Sequence, residues 1–172
     1  MLKTLRQIAA IGIVSETPPA PDDSLRVRET LQEQIRLVLG RALCIRHVDA
    51  GSCNACELEI HALNNPLYNL EGLGVRFVAS PRHADLLLVT GPVSRHMEAA
   101  LLSTYEATPA PKLVVALGDC GCTGGVFGES YASRGRVSNV IPVDIAVPGC
   151  PPTPTLILQG ILTAVSRGAH SR

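Results

Sequence analysis

Apolar residues fall along this chain in two rhythms. One is the three-to-four spacing of an amphipathic helix. It occurs in residues 1–14, at Leu2, Leu5, Ile8 and Ile11, and again from Ser24 to about Leu43. In that second segment Leu31, Ile35, Val38 and Leu39 share a face, while Arg28, Glu29, Gln32 and Glu33 stand largely elsewhere. Between the two lies SETPPAPDDS (15–24), whose Pro18, Pro19 and Pro21 and three acids predict a linker. The other rhythm is a short continuous apolar run. ALCIRHV (42–48), VRFVAS (75–80), ADLLLVT (84–90), LVVALG (113–118) and VDIAVPG (143–149) are of this kind. Helical segments alternate with them at ELEIHALNN (57–65), SRHMEAALLSTYEAT (94–108) and from about Thr155 to Arg167. Such alternation predicts parallel strands buried on both faces, in a three-layer α/β sandwich. The expected division is an N-terminal helical extension with its linker, 1–44, and an α/β domain, 45–172.

Composition narrows the function classes. At 172 residues the chain has room for one domain with a full core. Fifteen basic residues balance fifteen acidic ones, which excludes a strongly basic nucleic-acid binder. Aromatics make up only 3% and tryptophan is absent, so a base-stacking platform is excluded too. With 46% apolar and 17% charged residues the chain is not disordered. That balance also predicts a surface covered by other subunits. No run approaches the ~20 apolar residues of a membrane span. Lys3 and Arg6 precede only seven apolar residues, Ile8–Val14, and no paired arginines appear. Secretion is therefore not predicted, and a reducing compartment is expected. Residues 1–14 are expected to dock on a neighbour rather than lie on lipid.

The cysteines carry the candidate chemistry. Cys53 and Cys56 follow the first run, Cys120 follows LVVALG, and Cys150 follows VDIAVPG. Parallel strands all end on one side, so these four thiols are expected at one edge of the sheet, where open α/β sheets bind ligands. Four thiolates suit a [4Fe-4S] cluster or a zinc ion, and Cys53 with Cys56 alone would suit a redox dithiol. Two ligands standing alone on separate loops favour a cluster over zinc, and a dithiol leaves Cys120 and Cys150 without a role. Cys122 competes with Cys120 as third ligand, and Cys120 is preferred because it emerges first from the strand. Cys44 reads as a core thiol. Gly118, Gly121, Gly124 and Gly125 would let the loop backbone approach the site. The loop is neither a phosphate-binding Gly-Lys-Ser/Thr loop nor a G-x-G-x-x-G turn. His47, His61, His83, His96 and His170 show no paired ligand spacing.

Four motifs in order, GSCNACELE, SPRHADLLLVTGPV, GDCGCTGGVFGESY and PVDIAVPGCPPTP, resemble one family. It comprises the B-type subunits of NADH-quinone oxidoreductase and the small subunits of membrane-bound [NiFe] hydrogenases, and the resemblance covers residues 45–165. It implies a flavodoxin-like fold with one [4Fe-4S] cluster at the C-terminal edge of the strands, held by Cys53, Cys56, Cys120 and Cys150. It implies electron transfer beside a large catalytic subunit, either a hydrogenase large subunit or its D-like homologue in respiratory complex I. Further implied partners are a ferredoxin-like iron–sulfur subunit and membrane-arm subunits, at the cytoplasmic side of the inner or plasma membrane. The respiratory branch has adjacent cysteines where this chain has CNAC, so the formate hydrogenlyase side is the closer likeness. Asn54-Ala55 departs from the glycine common before the second cysteine, which predicts a tighter loop. Glu59, three residues past Cys56, is a candidate proton relay by resemblance, with Glu57 as alternative. Gly124, Gly125 and Arg82 are candidate donors around the cluster.

Overall fold

The computed structural model describes residues 24–170, with residues 2, 3, 6 and 9, which are helical. Most of the expected 1–14 helix and of the 15–24 linker lies outside the described residues. The elements are α1 (Ser24–Leu39), β1 (Leu43–Asp49), α2 (Ala55–Ala62), β2 (Val75–Phe77), β3 (Leu86–Thr90), α3 (Arg95–Ala107), β4 (Leu113–Leu117), α4 (Gly118–Thr123), β5 (Ile145–Val147) and α5 (Pro154–His170).

All five expected runs pair as strands, in the order β2-β1-β3-β4-β5. Every pairing is parallel. This is the flavodoxin-like order, and its switch point lies between β1 and β3. The central strand β3 is buried along its whole length, which its LLLVT sequence requires. Its side chains alternate between two cores. Leu86 and Leu88 join Ile45, Val115, Leu117 and Val147 beneath Leu31, Ile35, Ile60, Leu158 and Ile161 of the helices. Leu87 and Val89 face the other way, with Val48, Val114 and Ala116 beneath Leu101, Val137 and Ile141.

Two strands open later than their apolar runs, because aspartates take over the ladder at their starts. Asp144 accepts the Val114 amide on its side chain at 2.7 Å and donates its own amide to Val114 O, so β5 opens only at Ile145. Asp85 does the same work before β3, accepting the Cys44 amide and pairing with Arg41 at 2.5 Å. Beyond Phe77, Pro81 opens a short 3₁₀ turn that carries the chain away from β2.

The expected boundary at 44/45 falls inside β1. Helix α1 is no extension. Leu31 and Ile35 are buried in the main core, and α1 packs on α5 as a wall of the domain.

Candidate metal centre

The loop after β1 is held by its own side chains. Asp49 accepts the amides of Gly51 and Ser52 on Oδ1, at 2.9 and 2.7 Å. The Ser52 hydroxyl accepts the Asn54 amide at 3.1 Å and donates to Glu57 Oε2 at 2.7 Å. Asn54 adopts a left-handed φ of 74°, which asparagine tolerates better than most residues. It thus supplies the turn that glycine would otherwise make, and Ala55 opens α2. Cys53 is left exposed at the tip, while Cys56 on the first turn points into the core.

Cys120 emerges from β4 differently from the expected glycine loop. Gly118, with φ +82°, turns the chain directly into the helical turn α4, and Cys120 sits on it. Cys150 follows β5 after Gly149 and is exposed. Cys53 with Cys56, Cys120 and Cys150 each follow a strand that ends at this edge. Burial pushes the Cys56 thiol up to about 12, and the charges of Glu57, Cys53, Cys120 and Cys150 add to the rise. Cys120 is raised by burial and then by Cys150 and Cys53. Two glycines make room for sulfur. A Cβ on Gly118 would lie 2.6 Å from Cys56 Sγ, and one on Gly125 would lie 2.8 Å from Cys120 Sγ.

Cys122 turns the other way. Its thiol lies 3.6 Å from Ala116 O at the end of β4, and burial lifts it to about 11. Among the described residues, no three His, Cys, Asp or Glu side chains converge as a single-ion site. A four-thiolate zinc site, at about 2.3 Å per Zn–S bond, holds its sulfurs under about 4 Å apart.

The other expected residues are distributed as follows. Gly125 lies against Cys120, but Gly124 packs against the backbone of Gly128 and Gly135. Arg82 does not reach the site. It sits in the turn before β3 and lines a cavity with Arg41, Cys44, Asp85 and Pro111 at the opposite edge of the sheet. The five residues of β3, about 16 Å at 3.3 Å each, separate it from the strand ends. Glu59 is half-buried, whereas Glu57 is 8% exposed and acts on Cys56.

Glu57 also ends a polar network that no sequence motif announced. His47 Nε2 lies 2.9 Å from Thr90 Oγ1 and 3.6 Å from Glu57 Oε1. The network borders a cavity of about 260 Å³ lined also by Arg46, His61 and Phe77. A histidine inside the apolar run 42–48 is its only signal in the sequence.

The rim of the thiol edge is apolar. On the segment that follows Cys120, Val126 is 95%, Phe127 59% and Tyr131 92% exposed. Leu58, two residues past Cys56, is also exposed. Four large apolar side chains so placed mark a surface for a partner.

Fold and site together define an α/β subunit of parallel strands that gathers cysteines from three strand ends beneath an open apolar rim. Residues 53–164 match the family described as NADH ubiquinone oxidoreductase, 20 Kd subunit, and the chain belongs to that family. It is 45% identical over 143 residues to a probable membrane-bound hydrogenase subunit of Pyrococcus furiosus, covering 81% of this chain and 86% of that one. It is 40% identical to formate hydrogenlyase subunit 7 of Escherichia coli, covering 86% of this chain but only 57% of the relative's length. Among solved structures, a chain of the archaeal membrane-bound sulfane sulfur reductase, a respiratory membrane complex, superimposes with a TM-score of 0.67. That pair is 31% identical, covering 84% of this chain and 78% of the other. The relatives are subunits of oxidoreductase complexes, and the hydrogenase and sulfane sulfur reductase among them are membrane-bound. Among the described residues no helix is long and apolar enough to cross a membrane.

Proposed function

We propose that this chain is the electron-transfer small subunit of a membrane-associated, energy-converting hydrogenase complex of the formate hydrogenlyase type. In this reading Cys53, Cys56, Cys120 and Cys150 hold one proximal [4Fe-4S] cluster beside the large subunit. The observation that carries it is the placement of these four cysteines directly after β1, β4 and β5, parallel strands that end at one edge of the sheet. A cluster is a larger body than one ion and takes thiolates standing further apart, which suits this donor set better than zinc.

When bound, the cluster supplies one-electron transfer. The chain does the rest. The four thiolates fix the cluster's place and charge. Gly118 and Gly125 keep the sulfurs clear of side chains. Cys56 anchors the site in the core and keeps water from its inner side. Val126, Phe127, Tyr131 and Leu58 provide the surface on which the large subunit docks, so that the distance for electron transfer is set by packing. A ferredoxin-like subunit and membrane-arm subunits complete the complex, and the chain stays peripheral, on the cytoplasmic side.

A second reading follows from the likeness to the sulfane sulfur reductase chain. The same relay would then serve a large subunit without nickel, or one that passes electrons to quinone. Hydrogen evolution by the purified complex separates the two. The cluster is tested with Cys120→Ser and Cys122→Ser in that complex. We expect iron and the reduced-state EPR signal to be lost in Cys120→Ser and kept in Cys122→Ser. The reverse result overturns the ligand set.

A further inference from the structure

The loops of Cys120 and Cys150 leave two different strands, and thirty residues of chain separate them. Nothing in the covalent structure therefore fixes the spacing of their sulfurs. β4 and β5 pair as far as Leu117 and Val147, and beyond that point Asp119 joins the two loops. The Asp119 amide donates to Gly149 O at 2.9 Å, and the Asp119 carboxylate accepts the Gly149 amide on Oδ1 at 2.8 Å. Asp119 and Gly149 each immediately precede one of the two cysteines. The two bonds form a closed ring, so the loops can neither slide nor open without breaking both. Asp119 is half-buried, which shields the charge-assisted bond from competing water. Gly149 is bound to this geometry on its other side. Its φ is +137°, and a Cβ there would lie 2.5 Å from Pro152 Cα.

We propose that Asp119 is a positioning residue for the metal centre: its carboxylate clasps the Cys150 loop to Cys120 and holds a negative charge beside the bound cluster. This rests on the reading of the four thiols as a cluster site. The clasp carries the β4–β5 pairing, which ends at Leu117 and Val147, on to the two ligands. The charge opposes the arrival of an electron, so it lowers the cluster's potential. A carboxamide separates these two roles, because Asn keeps the Oδ1 acceptor and loses the charge. Alanine removes both.

The test compares Asp119→Asn and Asp119→Ala in the full complex. For Asp119→Asn we expect a cluster retained as in wild type, with its midpoint potential moved upward in an EPR-monitored titration. For Asp119→Ala we expect iron to be lost to a chelator about tenfold faster or more, the range seen when a ligand's supporting partner is removed. Amide hydrogen exchange across residues 143–156 should quicken in Asp119→Ala and stay near wild type in Asp119→Asn. Should Asp119→Ala fail to fold, the clasp is borne out as a structural requirement and Asp119→Asn still decides the electrostatic role through its potential. An unchanged potential in Asp119→Asn overturns the electrostatic role, and unchanged exchange and iron retention in Asp119→Ala overturn the clasp. A wild-type complex without a four-iron EPR signal overturns the cluster reading instead, while the exchange measurement still tests the clasp.

Discussion

At the scale of single residues, the metal centre depends on atoms that are missing as much as on those present. Gly118 has a left-handed φ, and any side chain there meets Cys56 Sγ. Gly121, on the same helical turn, has only ordinary contacts for a Cβ, at 3.5 Å and beyond. Gly118→Ala should therefore cost most of the bound iron, while Gly121→Ala retains it. Iron and acid-labile sulfide per chain measure both. Equal loading of the two variants would show that the space beside Cys56 is immaterial. Asn54 illustrates the converse. The left-handed turn between Cys53 and Cys56 remains, but a residue with a side chain makes it, because asparagine is among the few that tolerate that conformation.

At the scale of elements, α1 is a wall of the domain, and this sets a stability prediction. Leu31 is fully buried and Leu37 is 70% exposed on the same helix. Leu31→Ala should lower unfolding free energy by about 2–5 kcal/mol. Leu37→Ala should stay within about 0.5 kcal/mol of wild type. Urea denaturation checks the pair, and a small effect at Leu31 would mean that α1 is dispensable. A second prediction belongs where β1, β3 and α2 meet. Burial lowers the His47 pKa below its ordinary 6.5, and this outweighs the opposing influence of Glu57. Between the lowered value and 6.5 the unfolded chain binds a proton that the folded chain does not, so the folded state loses stability as pH falls below 6.5. His47→Gln should flatten that acid limb of the stability–pH curve. An acid limb as steep as in wild type would remove His47 as its source.

At the scale of the whole molecule, the proposed function turns the thiol edge towards the partner. Phe127→Asp places a charge in the apolar rim without touching a cysteine, and it should abolish or greatly weaken co-purification with the large subunit. Iron content of the separated chain should persist. Undiminished co-purification would place the docking surface elsewhere. The neutral overall charge and the 46% apolar content suit a subunit whose surface is shared in this way.

Much of the architecture was legible in the residues. The alternation of apolar runs with helical segments predicted five parallel strands, because a strand buried on both faces must be apolar throughout. Cysteines placed directly after three of those runs were expected at one edge, since parallel strands end on one side. Cys120 was preferred to Cys122 because it emerges first from the strand. Other features depended on contacts between residues far apart in sequence. The burial of α1 arises from packing on α5. That Glu57 is buried and bonded to the Ser52 hydroxyl while Glu59 is half-buried depends on how α2 packs. The distance of Arg82 from the thiols follows from which end of β3 it precedes. The Asp119–Gly149 clasp joins residues thirty apart, and no local pattern announces such a bond. Periodicity and strand direction are local properties that a sequence carries by itself. Which polar groups find each other, and how far apart four sulfurs are held, is decided only once the chain has closed on itself.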